Sequence, residues 1–400
     1  MGKWALAWSY VPIDYNTDIG ILEDITQRAI LRNNLNGNKI RVKFCNLYHP
    51  EDMILDRVIV MKQNKITGKR YDQADVTCHG QKKIVVNAGE AFYSDELEYP
   101  VTAEDDFVIS IYFKEKTRVR TVCVTWAGQT WRASYGKGDQ TERESLEETD
   151  RDAIFPFLAA DIHKNQSLTG FCNIAVYTAN SVRTMAVFGD SITHMSFYSD
   201  PLILSLYDKY PGEITVMNGG IGGNRLAKDA PYVAEMPGEG RLFGRAGADR
   251  LEKDIYQDAT PDMLFCMEGV NDCTHSFAFA EKDIPDGQIL WDAMQKVIDL
   301  GHKYGSKVYI STVMPFGCLE EPWREKAEEI RQAFNRKIRN QEQADDVIDL
   351  DAFMRKEDDI HRMRDGMHMG DGVHPNAEGG KRIAEAILEK WFKKQRGVKE

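Results

Sequence analysis

Residues 183–193 read RTMAVFGDSIT, an apolar run that ends in a Gly-Asp-Ser turn. Four more short apolar runs follow it, at 213–217 (EITVM), 262–267 (DMLFCM), 307–312 (KVYIST) and 347–350 (VIDL). Helical patterns lie between or after these runs, at 290–300, 322–339 and 377–392. In the first of them, Leu290, Met294 and Val297 recur with the spacing of one helix face. Strands that alternate with helices predict an α/β fold with a doubly wound parallel sheet.

The first 180 residues show a different pattern, with short β-like runs and no convincing long helix. The runs lie at 39–45, 55–61, 83–86, 107–113, 120–126 and 171–178. Short strands separated by turn signals predict a jelly-roll-like β-sandwich domain over 1–180, followed by an α/β domain over 181–400. We also expect a hairpin at Asn36-Gly37 and a solvated surface loop over 132–152, which is polar and dense in charge.

Composition limits the classes of partner. The chain has 400 residues, with 51 basic and 63 acidic side chains and a net charge of −12. This acidic balance disfavours nucleic acid and anionic membranes as partners, because both attract basic patches. The seven cysteines are odd in number and lack CxxC spacing, which predicts reduced thiols. The N-terminal apolar run is broken by Ser9 and Pro12 and lacks a cleavage pattern, so we expect a cytoplasmic protein.

Candidate chemistry follows the strands, because ligands of doubly wound sheets bind beyond the carboxyl ends of the strands. Ser191 stands on the first strand-to-helix turn, where its hydroxyl is either an exposed nucleophile or a helix cap. The segment 218–225 (NGGIGGNR) offers backbone N–H groups to a ligand, or is simply a flexible turn. In 268–272 (EGVND), the amide of Asn271 is either an oxyanion donor or a cap.

The last loop, 364–376 (RDGMHMGDGVHPN), contains an Asp-Gly-x-His pattern twice. The second copy ends at His374 and runs into Pro375, which restricts His374 to extended backbone just before the last predicted helix. The first copy, which ends at His368, has only loop on both sides. We therefore assign Asp371 and His374 to a catalytic site and treat His368 as a loop residue that lines the pocket.

These four segments, in this order, resemble those of the SGNH or GDSL hydrolase (esterase) superfamily over about residues 183–395. The matching blocks are GDSIT at 189–193, NGGIGG at 218–223, GVND at 269–272 and DGVHP at 371–375. Phe243-Gly244, Arg250 and Asp254 are similar to a subgroup that carries an N-terminal β-sandwich. The resemblance implies a flavodoxin-like doubly wound parallel-sheet hydrolase domain that needs neither metal nor organic cofactor.

The resemblance also implies roles for individual residues. Ser191 would be the nucleophile, His374 its general base and Asp371 the group that orients the base. The oxyanion hole would consist of the backbone N–H groups of Ser191 and Gly223 and the side-chain amide of Asn271. Further pocket candidates are Asp190, His194, Arg225, Glu268 and His368. Of these, His194 is expected to be a pocket wall or a helix side chain rather than a rival base.

The substrate is less defined by the sequence. The loop 225–245 is mixed and charged rather than an apolar lid, which favours short acyl groups, acetyl first. The β-rich first half and the seven tryptophans are compatible with a carbohydrate ester, although core packing explains the tryptophans equally well. The alternatives are a lysophospholipase or thioesterase acting on longer chains, and a catalytically dead carbohydrate-binding protein. Residues 1–180 could close over the active site, bind glycan or mediate a homodimer.

Overall fold

The computed structural model describes residues 2–159, 165–317 and 320–393. The strands of the first half are β1 (Gly2–Ser9), β2 (Ile13–Asp14), β3 (Gly20–Leu22), β4 (Ile25–Leu31), β5 (Gly37–Cys45), β6 (Met53–Leu55), β7 (Arg57–Asn64), β8 (Arg70–Asp75), β9 (Ile84–Val86), β10 (Ala91–Tyr93), β11 (Leu97–Val101), β12 (Asp105–Phe113), β13 (Thr117–Val119), β14 (Thr121–Thr125), β15 (Trp131–Lys137), β16 (Gln166–Leu168) and β17 (Gly170–Ala179). Two short helices precede β16, namely α1 (Arg151–Ile154) and α2 (Pro156–Ala159).

The second half alternates strands and helices, as the sequence predicts. Its strands are β18 (Arg183–Gly189), β19 (Ile214–Gly220), β20 (Met263–Met267), β21 (Lys307–Ser311) and β22 (Asp346–Ile348). Its α-helices are α3 (Ser191–His194), α4 (Ser199–Lys209), α5 (Gly247–Leu251), α6 (Val270–Ala278), α7 (Gly287–Lys303), α8 (Arg324–Asn340), α9 (Leu350–Met354) and α10 (Ala377–Phe392). A 3-10 segment, Pro237–Phe243, precedes α5, and a π-helical turn, Glu252–Tyr256, follows it.

The second half is built on one parallel sheet with the strand order β19-β18-β20-β21-β22. All seven residues of β19 are buried, as expected for a parallel sheet that is covered on both faces. The helices pack in groups, α4 against α10 and α7 against α5 and α8. This architecture confirms the predicted α/β fold with a doubly wound parallel sheet, and it brings the carboxyl ends of β18, β19 and β20 to one edge.

The first half is rich in strands, as predicted, and contains two five-stranded antiparallel sheets. One has the order β1-β17-β5-β10 with β11 beside β5, and the other has the order β15-β4-β12-β7-β8. Apolar side chains of both sheets are fully buried, for example Val42 and Phe44 in β5 and Ile109 and Ile111 in β12. These side chains belong to one apolar cluster, so the two sheets share a core.

One local prediction for this half is wrong in its first part, and another is wrong throughout. Residues 142–150 do form an irregular and largely exposed stretch, as expected. The segment 132–152 does not begin as a surface loop, because 131–137 forms β15 and pairs with β4. The buried guanidinium of Arg28 then donates hydrogen bonds to the carbonyl groups of Gln140 and Thr141, which holds the chain after β15 against the sheet. The hairpin at Asn36-Gly37 is also wrong, because β4 and β5 lie in different sheets and the dipeptide marks the crossing between them.

The two halves meet along β1, which pairs with β17 and packs against β19. Thr215 Oγ1 in β19 donates to the carbonyl group of Leu6 in β1, 2.6 Å away. The six cysteines that lie in the described residues are free thiols, which agrees with the prediction, and Cys318 lies outside those residues. No helix in the described part of the chain is long and apolar enough to cross a membrane.

Candidate active site

Ser191 is the first residue of α3, directly beyond the carboxyl end of β18. The helix is capped by Asp190, whose side chain accepts a hydrogen bond from the backbone N–H of Ile192 at 3.0 Å. Burial raises the pKa of Asp190 to about 7. Because the neighbouring aspartate serves as the cap, the hydroxyl of Ser191 is available for another partner.

That partner is His374. Ser191 Oγ lies 2.8 Å from His374 Nε2, and His374 Nδ1 lies 2.5 Å from Asp371 Oδ2. The other carboxylate oxygen of Asp371 accepts the backbone N–H groups of Val373 and His374. Burial disfavours the Asp371 carboxylate, but these hydrogen bonds outweigh it and lower the pKa of Asp371 to about 2. Asp371 is therefore ionised at neutral pH and can orient the imidazole.

The three oxyanion candidates lie around the same cavity or at its edge. Ser191 N–H stands in the first turn of α3, where no intrahelical acceptor exists. Gly223 has a positive φ of 73°, and a β-carbon there would overlap the ring of Phe243. Asn271 Nδ2 donates one hydrogen to the carbonyl group of Asn224 at 2.8 Å, which leaves its second N–H for a ligand.

The cavity beside Ser191 has a volume of about 500 Å³. Gly223, Asn271 and His374 line it together with the nucleophile. The opposite wall comes from the first half of the chain, through Ile13, Tyr15, Trp126, Phe157, Leu158 and Asn165. Residues from the first half therefore line the same cavity as the candidate nucleophile.

His194 also lines this cavity, and its ring is held on two sides. Its Nδ1 accepts the backbone N–H of Gly222 at 3.0 Å, and its ring meets Trp126 edge-on at 5.2 Å. Burial lowers the pKa of His194 to about 4, so the ring is neutral at physiological pH. His194 is thus a residue of the cavity wall, and its hydrogen bond to Gly222 holds the loop that contains Gly223.

The remaining pocket candidates lie outside the cavity lining. Arg225 pairs with Glu281 at 2.8 Å and also donates to a backbone carbonyl. Glu268 is fully buried, and burial raises its pKa to about 8 against the opposing charge of Arg250. His368 Nδ1 accepts the backbone N–H groups of Gly370 and Gly372, so it shapes the loop that carries Asp371.

Sequence reasoning gave no role to two groups of residues near the site. Arg250 donates to the carbonyl groups of Gly189 and Gly219 and to Asn224 Oδ1, which braces the ends of β18 and β19. Phe243 packs against His275 and Phe279 beside the oxyanion candidates. His275 follows Asn271 by one helical turn, a spacing that could have placed it at the site.

Within the described residues, no group of three or more His, Cys, Asp or Glu side chains is arranged to hold a metal ion. The model of the GDSL-like Lipase/Acylhydrolase family matches residues 187–382. This range contains Ser191, Asn271, Asp371 and His374. The second half of the chain is therefore a GDSL-like lipase/acylhydrolase domain, preceded by a strand-rich domain.

Several solved structures are similar to about half of this chain. An acetyl xylan esterase has 24% identity over 52% of this chain and 98% of its own, with a TM-score of 0.39. A mutant acetyl-xylooligosaccharide esterase from Geobacillus has 18% identity over 54% and 96%, with a TM-score of 0.40. A GDSL-like lipase from Bacteroides thetaiotaomicron has 17% identity over 52% and 86%, with a TM-score of 0.38. No curated protein sequence matches the chain.

Proposed function

We propose that the protein is a serine esterase that removes short acyl groups, acetyl first, from a carbohydrate. The GDSL-like acylhydrolase domain supports ester hydrolysis. The observation that carries the proposal is the hydrogen-bonded series from Ser191 Oγ through His374 to Asp371. Ser191 and His374 line a cavity that is also lined by Gly223 and Asn271. Free thiols at the described cysteines support a reducing, cytoplasmic location.

The reaction would proceed through an acyl-enzyme. Ser191 Oγ attacks the ester carbonyl carbon while its proton passes to His374 Nε2, and Asp371 stabilises the imidazolium that forms. The carbonyl oxygen becomes an oxyanion that accepts the N–H groups of Ser191, Gly223 and Asn271. His374 then protonates the leaving alcohol, and the bond between carbonyl carbon and alcohol oxygen breaks. Finally, His374 takes a proton from water while the water oxygen attacks the carbonyl carbon of the acyl-enzyme. The bond from that carbon to Ser191 Oγ then breaks as His374 returns the proton to Oγ, which releases the acid and restores the serine.

An aromatic cluster beside the oxyanion donors supports a short acyl group. The Phe243 ring lies against the Cα of Gly223 and packs against His275, with 5.3 Å between ring centroids. Phe279 closes the cluster at 5.2 Å from His275. An acyl chain that extends past the oxyanion donors in this direction would have to displace these rings. Acetyl needs no such displacement.

The opposite wall supports a sugar as the leaving alcohol. Tyr15, Trp126 and Phe157 come from the first half and give this wall three aromatic rings. The faces of aromatic rings carry partial negative charge, so they pack favourably against the C–H faces of a sugar ring.

A second candidate is hydrolysis of longer acyl chains, as in a lysophospholipase or thioesterase. The observation that favours it is the apolar character of Ile13, Leu158, Met195 and Leu242 in the cavity wall. A series of p-nitrophenyl esters from two to twelve carbons separates the candidates. We expect the highest kcat/KM at two to four carbons, and a maximum at eight carbons or more would replace the acetylesterase proposal.

Ser191→Ala tests the mechanism itself. The variant should lose hydrolysis of p-nitrophenyl acetate and covalent labelling by a fluorophosphonate, because the nucleophile is gone. Ser134→Ala is the matched control, since Ser134 lies on β15 and outside the cavity lining, and it should keep both. Full activity in folded Ser191→Ala would refute the assignment. Failure of the wild-type protein to label would instead support a catalytically dead binding protein.

A further inference from the structure

Three adjoining cavities lie along the junction between the strand-rich half and the hydrolase domain. The active-site cavity has about 500 Å³, a middle cavity about 390 Å³ and a distal cavity about 510 Å³. Ile13 and Leu242 line both the active-site and the middle cavity. Pro12, Lys253 and Asp254 line both the middle and the distal cavity. Because they share these walls the three cavities adjoin one another, and together they are called the junction groove.

The size of the junction groove exceeds what a short ester requires. Each cavity alone falls in the range of about 300–1,000 Å³ that holds a drug-sized ligand. The proposed reaction uses only the cavity that contains Ser191, where the acyl group and one leaving-group ring would lie. The middle and distal cavities are left without an occupant by that reaction, so an extended substrate is the simplest ligand that fills all three.

The distal cavity presents both donors and acceptors. Lys43 Nζ lies 2.5 Å from Asp258 Oδ2, and Asn173 Nδ2 donates to the same oxygen at 3.5 Å. Asn173 Oδ1 is buried and has no hydrogen-bond partner among the described residues. Phe92, which is half-buried, adds an aromatic surface to the same wall. Hydroxyl groups, which both donate and accept, fit this mixture.

The charged side chains of the distal cavity favour a neutral ligand over an anion or a cation. The distal cavity is lined by two lysines, Lys43 and Lys253, and by three carboxylates, those of Glu90, Asp254 and Asp258. An anionic ligand would meet the excess of carboxylate charge. A cation would have to compete with partners already in place, since Asp258 pairs with Lys43 and Asp254 pairs with Arg250. A neutral polyhydroxyl ligand avoids both penalties.

The middle cavity has the same character and connects the two ends. It is lined by the half-buried ring of Tyr48, by the carboxyl group of Asp14 and by the exposed cations Arg241 and Arg245. Donors, acceptors and an aromatic surface therefore continue from the distal cavity towards the nucleophile. A polymer of sugar units repeats the same pattern of hydroxyl groups and C–H faces along its length.

We propose that the junction groove binds an oligosaccharide ester of several sugar units, with the ester at Ser191 and the remote units beside Lys43 and Asp258. This inference rests on the proposed function, because it names the substrate of the same site. The strand-rich half thereby supplies most of the lining of the distal cavity.

The first test is substrate length. O-acetylated oligosaccharides of one to four β-1,4-linked units, prepared in a xylose and in a glucose series, are compared by kcat/KM per acetyl group. We expect a rise of about tenfold from one unit to four in at least one series, which corresponds to about 1.4 kcal/mol of added transition-state binding. No rise with length in either series would overturn the groove as a substrate site.

A blocking variant localises the effect. Gln257 is exposed and lines the distal cavity, so Gln257→Trp should fill that cavity without disturbing the core. The ratio of kcat/KM for four units to that for one unit should fall about tenfold. Lys296→Trp is the matched control, an exposed position on α7 outside the groove, and it should keep the wild-type ratio. Equal ratios in the two variants would remove the distal cavity from the proposal.

A binding measurement separates this inference from the proposed function. Isothermal titration of Ser191→Ala with unacetylated oligosaccharides needs no turnover. We expect at least tenfold tighter binding of four units than of one, and loss of that difference when Gln257→Trp is added. If the wild-type protein hydrolyses aryl acetates but length has no effect on binding, the groove fails alone. If length affects binding but no ester is hydrolysed, the proposed function fails alone.

Discussion

Asn271→Ala tests the oxyanion hole directly. The wild-type amide donates one hydrogen to the carbonyl group of Asn224 at 2.8 Å, and its second N–H is the donor that the proposed mechanism gives to the oxyanion. The substitution removes both. Its effect on turnover and its effect on folding should differ in size, because the first hydrogen bond exists in every state and the second forms only in the transition state.

The expected magnitudes follow from these two hydrogen bonds. Loss of one oxyanion donor lowers kcat by ~10²–10³, or about 2.7–4 kcal/mol of transition-state stabilisation. Loss of the bond to Asn224 lowers the free energy of unfolding by about 0.5–1.5 kcal/mol. That is a small part of the ~5–15 kcal/mol of a typical domain, so the variant should stay folded. KM should change little, because the ground-state carbonyl is not an oxyanion.

The assay is hydrolysis of p-nitrophenyl acetate at saturating concentration, alongside urea unfolding. Thr274→Ala is the matched control, because Thr274 is also a buried polar residue of α6, and its hydroxyl donates only to the carbonyl group of Val270. It should retain kcat within about threefold. If Asn271→Ala also stays within threefold of the wild type, Asn271 is not an oxyanion donor and the assignment from geometry is wrong.

Three further substitutions have expected outcomes. His374→Ala should lower kcat by ~10²–10⁴ in the aryl acetate assay, because it removes the general base. His368→Ala should affect kcat only by loosening the loop that carries Asp371. The reverse result would show that the wrong Asp-Gly-x-His copy was chosen. Glu268 has a folded pKa of about 8, above its unfolded value of about 4.3, so it lowers stability progressively as pH rises between these values. Glu268→Gln should therefore become more stable than the wild type as pH rises from 5 to 8 in urea unfolding, and a constant difference would contradict the raised pKa. Arg331→Met should lower the free energy of unfolding by about 1.5–3 kcal/mol in the same measurement, because it removes the charge-assisted hydrogen bond from Arg331 to buried Asp351 at 2.7 Å. Arg339 still pairs with the other carboxylate oxygen of Asp351 at 2.6 Å, and a loss below about 1 kcal/mol would contradict this.

The parallel sheet could be predicted because each of its strands can be recognised from a short stretch of neighbouring residues. Each buried strand is a short apolar run between polar turns, and the predicted 183–188 and 307–312 differ from β18 and β21 by only one residue at one end. The last helix, α10, was predicted at its observed bounds. By contrast, β15 could not be predicted, because its apolar and polar residues alternate inside a charged stretch. Its pairing with β4 depends on residues about 100 positions away.

The candidate site likewise has one part that the sequence could predict and one part that it could not. Ser191, Asn271 and His374 could be singled out because each stands just after a strand or just before the last helix, and because the order of their motifs resembles that of the SGNH hydrolases. The wall that faces them could not be found, since Trp126 reaches the cavity only through the packing of one half of the chain on the other. Trp126 also had an equally good explanation as a core residue, which no spacing argument could exclude.

The contacts around Trp126 indicate that this wall is a fixed part of the site rather than a lid. The backbone N–H of Ala127 donates to the carbonyl group of Met195, just after α3, at 3.0 Å. Asp200, buried in α4, accepts the backbone N–H groups of Gln129 and Thr130. The loop that carries Trp126, residues 126–130, is thus hydrogen-bonded to Met195 just after α3 and to Asp200 in α4. Because these hydrogen bonds set its position before substrate arrives, the loop needs no closing motion to act, under the proposed function, as a fixed wall against which the leaving alcohol must fit.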